Sequence, residues 1–149
     1  MFRSISQWLA RVPQTQDSDE EAQRHLAAAI LLFEVARADH ELDDSEVARL
    51  EQVLRAHWLL DDQALADLMT VAGHQSELSA SLHEHVQVIN RGFSQQEKYR
   101  LLLGLWQVAC SDRKIHHHEE HLVRRIADLL YLSHSDFIRA KHQALGEAD

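Results

Sequence analysis

Apolar residues along most of this chain return every three or four positions, the period of an amphipathic helix rather than of a strand. Leu26, Ala29, Ile30, Phe33 and Ala36 or Arg37 trace a stripe that predicts a long helix from about Asp19 toward Ala38, ended by a polar turn over Asp39 to Asp43. A second stripe carries Val47, Leu50, Val53, Leu54 and Trp58, with Asp43 as N-cap and Glu46 three residues later as in a capping box. Asp61 or Asp62 can cap a further helix bearing Leu65, Leu68, Met69 and Ala72, and Gly73 stands where a left-handed C-terminal cap is expected. Leu78, Leu82, Val86 and Ile89 predict a helix over Ser76 to Arg91, with Gly92 as its stop.

The pattern then repeats its character. A long helix from near Ser94 carries Tyr99, Leu102, Leu103, Trp106, Ala109 and Cys110 before a polar turn at Asp112 to His116. Val123, Ile126, Ala127 and Leu130 mark the next helix, and Ser133 caps a last one with Phe137, Ile138 and Leu145. At the front, Phe2, Ile5, Trp8, Leu9 and Val12 share one face of a short arm that Pro13 stops. The expected organisation is an amphipathic arm at 1–13, a linker at 14–19, one helical domain at 20–145 and a fraying tail at 146–149. The expected fold class is all-α, with seven main helices plus the arm.

Composition agrees, since 149 residues hold only 4 Gly and 1 Pro. A formal net charge of −9 opposes a nucleic-acid partner, whose phosphates are neutralised by Lys and Arg. Cys110 stands alone, so no disulfide framework or thiolate zinc cage can form, and a reducing, cytoplasmic setting is expected. No apolar run approaches the roughly 18 to 20 residues that a membrane span needs. The arm has two readings, packing on the domain or a protein partner, and peripheral contact with the inner face of a membrane through Phe2, Ile5, Trp8 and Leu9.

A self-similarity runs through the two halves. Val35-Ala36-x-x-Asp39 matches Val108-Ala109-x-x-Asp112 at an offset of 73, and the same shift pairs Glu46 with Glu119, Leu50 with Val123, Val53 with Ile126, Trp58 with Tyr131 and Leu59 with Leu132. Each Asp falls at the C-terminal end of a helix, where the dipole disfavours a carboxylate by about 0.3 to 1 kcal/mol. The next helix returns with its first-turn Glu, so a hard divalent cation, which takes oxygen ligands, would relieve the repulsion. The plain alternative is an Asx-turn at Asp39 and a cap at Glu46. The EF-hand is excluded, because the run from Asp39 has Asp44 at its sixth position and Leu50 at its twelfth.

His116, His117, His118 and His121 crowd one helix start, and His117 to His121 formally fits H-x-x-E-H. Helical spacing puts His117 and His121 on one face, so a zinc hydrolase using His117, Glu120 and His121 is a weak third reading beside adventitious surface histidines. The scattered glycines make no phosphate loop, and Cys110 on an apolar stripe reads as a buried thiol, so no enzyme is expected.

The segment Ala38-Asp39-His40-Glu41-Leu42-Asp43-Asp44-Ser45-Glu46 and its echo Ser111-Asp112-Arg113-Lys114-Ile115-His116-His117-His118-Glu119 resemble the paired signature of the TerB family, named for tellurite resistance, over roughly Glu20 to Phe137. The resemblance implies an all-helical fold with pseudo-twofold symmetry and a divalent-cation site formed by Asp39, Glu46, Asp112 and Glu119. A related domain stands beside a J domain, absent here, in the membrane-anchored co-chaperone DjlA, and members are associated with stress responses and membrane-linked complexes. His40 and Arg113 stand where the family usually has Gly, and Arg113 sets a cation beside Asp112. The reading that follows is a non-catalytic module that binds a divalent cation and docks to a partner. Its alternative is a metal-free interaction domain, and oligomeric state is not legible.

Overall fold

The computed structural model describes residues 16–38, 42–58, 60–78, 82–110 and 117–148. Among them are seven helices and no strand: α1 Gln16–Ala36, α2 Asp44–Trp58, α3 Asp62–Leu78, α4 Leu82–Gly92, α5 Gln95–Ala109, α6 His117–Leu129 and α7 His134–Ala148. The arm, with Phe2, Ile5, Trp8 and Leu9, lies outside the described residues. Helix α1 begins at Gln16, and α7 runs past Gly146 to Ala148.

Helix α1 is the axis of the molecule. Every residue from Leu26 to Phe33 is buried, as are Val35 and Ala36, so the helix is covered all round rather than along one stripe. It packs against α2, α3, α4, α5 and α6. Helix α5 is the second central element, touching α1, α2, α6 and α7, and buries Leu101, Leu102, Leu105, Trp106, Val108 and Ala109. Trp106 has no exposed surface, donates its indole N–H to the Phe137 carbonyl at 3.2 Å and meets the Phe137 ring edge-on at 5.0 Å. This ties α5 to α7. Cys110 is buried, as its stripe position predicts.

Local chemistry sets the helix starts. Asp43 Oδ1 accepts from Glu46 N–H at 2.8 Å, Asp61 Oδ1 from Ala64 N–H at 2.7 Å, Ser94 Oγ from Glu97 N–H at 3.1 Å and Ser133 Oγ from Asp136 N–H at 3.1 Å. Each satisfies a backbone donor that a helix start leaves open.

Two expectations fail. Gly73 ends nothing: α3 continues five residues beyond it, and a Cβ there would make ordinary van der Waals contact with the Phe33 ring at 3.4 Å. The single helix over Ser76 to Arg91 is divided between α3 and α4. Both pieces pack on α1, whose 21 residues span about 31 Å, whereas an unbroken rod from 62 to 92 would run about 46 Å.

Candidate cation site at the helix starts

Helix α1 closes with Arg37 N–H on Phe33 O at 3.1 Å and Ala38 N–H on Val35 O at 3.3 Å, and the described chain resumes at Leu42 and Asp43. Asp43 and Glu46 cap α2 reciprocally, since Asp43 N–H donates to Glu46 Oε1 at 3.2 Å while Asp43 Oδ1 accepts from Glu46 N–H and from Ser45 Oγ, both at 2.8 Å. The Glu46 backbone N–H, then the Ser45 hydroxyl, hold the Asp43 carboxyl below its usual range. The capping reading of Glu46 is therefore present in the structure.

Glu46 is nevertheless buried, at 7 % exposure, and Glu119 is buried more deeply, at 2 %. Among the described residues only one other charged or polar side chain, Lys98, is buried. Glu46 and Glu119 are each the third residue of their helix and stand 73 residues apart. The helix bounds share that spacing, for Ala36 and Ala109 both end a helix and Asp44 and His117 both begin one. Burying a carboxylate costs several kcal/mol unless something compensates it. Lys98 does not serve Glu119. Its ammonium donates to Leu130 O at 3.2 Å, and eleven residues of α6 set that carbonyl about 16 Å from Glu119. Asp39 and Asp112, with His40 and Arg113, lie outside the described residues.

Comparison with family profiles matches residues 25–142 to TerB, described as tellurite resistance protein TerB. The chain belongs to the TerB family. Neither the curated proteins nor the solved structures contain a match. The TerB match spans both glutamates and both segments that precede them.

Beside the TerB helix starts, an open cleft of about 510 Å³ is bounded by Glu34, Arg37, Ala38, His118, His121, Leu122 and Arg125. Burial raises the Glu34 carboxyl above its usual range, and Arg37 opposes that shift. The matching place in the other half is bridged. There Arg49, 73 residues before Leu122, donates from Nε to Gln107 O at 3.2 Å and from Nη1 to Gln52 Oε1 at 3.3 Å.

The zinc-hydrolase reading loses its third member. His117 and His121 do share a face, with ring centroids 4.6 Å apart. Glu120 instead pairs with Arg124 at 3.8 Å and with Lys141 of α7 at 3.6 Å. Among the described residues no group of three or more His, Cys, Asp or Glu side chains is gathered to hold a metal.

Sequence reasoning missed a second feature, at the end of α6. Tyr131 has φ 61°, its N–H donates to Asp128 O at 3.1 Å, and Leu132 N–H donates to Ala127 O at 3.0 Å. That is a Schellman motif with tyrosine at the position glycine normally fills. Its ring is 77 % exposed and borders a cleft of about 310 Å³ with His83, Gln87, Asn90 and Arg91. Asn90 Nδ2 caps Leu129 O at 3.0 Å, while its Oδ1 is buried without a protein partner. In the sequence, Tyr131 shows only as an apolar match to Trp58.

Proposed function

We propose that this TerB-family chain is a non-catalytic module that binds one or more divalent cations through Asp39, Glu46, Asp112 and Glu119, and acts by docking to a protein partner in a stress response. The supporting observation is the burial of Glu46 and Glu119 at equivalent helix starts. A helix N-terminus favours each carboxylate by roughly 0.3 to 1 kcal/mol, less than the cost of removing it from water. A hard cation would add to what holds the two carboxylates, because magnesium, calcium and manganese take oxygen ligands. In this reading the ion ties the turn after α1 to α2 and the turn after α5 to α6, giving a partner a fixed surface.

The arm bearing Phe2, Ile5, Trp8 and Leu9 supplies contact with that partner or with the inner face of a membrane. Among the described residues no helix is long and apolar enough to cross a bilayer.

One observation favours a second reading, a metal-free interaction domain: the capping box already occupies Glu46. Glutamine separates the two, because it can cap as glutamate does but carries no charge. Melting temperature followed with calcium, magnesium, manganese and zinc, in the wild type and in Glu46→Gln and Glu119→Gln, tests the choice. Stabilisation by an ion, lost in both variants, supports the cation module. Stabilisation by none leaves the interaction domain.

A further inference from the structure

We propose that His117 and His121 form a two-imidazole chelate for a borderline transition-metal ion such as zinc or nickel, distinct from the carboxylate site. The two residues are one helical turn apart in the first turns of α6, both exposed, with ring centroids 4.6 Å apart and ring planes 89° apart. Two zinc–nitrogen bonds of tetrahedral geometry place their donor atoms about 3.4 Å apart. Rings at this separation meet that distance by rotation about χ2, without movement of the helix backbone. Because both rings already face water, an ion reaches them with no buried group to desolvate.

The surroundings set the ligand class. Glu120 is drawn to Arg124 and Lys141, and Glu119 is buried, so neither adds an exposed carboxylate to the pair. His118 lies farther off, its ring centroid 6.4 Å from that of His117, and both His118 and His121 line the cleft with Glu34, Arg37 and Arg125. The pair itself therefore offers two imidazole nitrogens, with water completing the shell. That set suits zinc, nickel and copper over magnesium and calcium, which demand oxygen.

Calorimetric titration of the full chain with zinc chloride, in excess magnesium chloride, tests the assignment. The expected result is a tightest site of one zinc per chain, weakened about tenfold or more by His117→Ala and by His121→Ala. His118→Ala and Glu119→Gln leave that site unchanged. Both chelating residues are exposed, so the variants keep the wild-type melting temperature in chelator, which circular dichroism checks. Zinc binding that survives both His117→Ala and His121→Ala overturns the proposal, as does equal loss in His118→Ala. Loss in Glu119→Gln also overturns it, since it would place the zinc on the carboxylates.

Discussion

Glu46 and Glu119 lie 73 residues apart, each as the third residue of its helix, and each is buried, Glu46 with its carboxylate in the cap of α2. The first consequence concerns that cap. Glu46→Ala removes the acceptor for Asp43 N–H and should cost about 0.5 to 2 kcal/mol, the range of lost caps. Glu46→Gln should cost much less. Urea denaturation in the presence of chelator measures both, and equal losses would show that charge rather than capping holds Glu46 in the cation-free protein.

Tyr131 carries a second consequence. A non-glycine residue in the left-handed region costs roughly 1 to 2 kcal/mol, and the Tyr131 ring recovers little by burial. Tyr131→Gly should therefore stabilise the fold by about 0.5 to 1 kcal/mol, read from the urea midpoint at unchanged slope. A loss of stability would mean that the Lys98 ammonium, 5.9 Å from the ring centroid, or the neighbouring cleft depends on the tyrosine.

Stability should also fall on mild acidification. Burial lowers the His25 pKa below its usual 6.5, with Arg24 adding to the shift and Glu21 and Glu97 opposing it. Burial does the same to His85 against the pull of Glu84. As pH drops through 6.5 the unfolded chain takes up protons that the folded chain refuses, so stability present above that value is lost below it. The His25 ring also packs at a tilt on Trp58, with centroids 4.9 Å apart, so His25→Gln should be weaker at every pH. Its distinguishing feature is a shallower slope between pH 7.5 and 5.5 in urea denaturation. An unchanged slope would remove His25 from the account.

Helix starts were legible because capping is local: Asp43, Asp61, Ser94 and Ser133 each need only their own next three residues. The full burial of α1 was not, since a search for a 3.6-residue stripe extracts one face even from the continuous run Leu26 to Phe33. Gly73 was misread because a glycine just past an apolar stripe looks like a helix stop, whereas α3 runs on to Leu78. The paired glutamates could be singled out from the 73-residue echo, while Asp39 and Asp112 lie outside the described residues. The cleft at Asn90 and Tyr131 was invisible because its contacts join α4 to α6 across 39 residues.

Thermal melting of wild type beside Glu119→Gln tests most directly whether the two buried glutamates serve a cation site. Melting both proteins in chelator gives their cation-free baselines. On adding manganese or calcium the wild type should gain stability, by about 2.7 kcal/mol at a hundredfold excess over Kd, and the variant should gain almost nothing. Equal gains in both proteins, or none in either, would contradict the account.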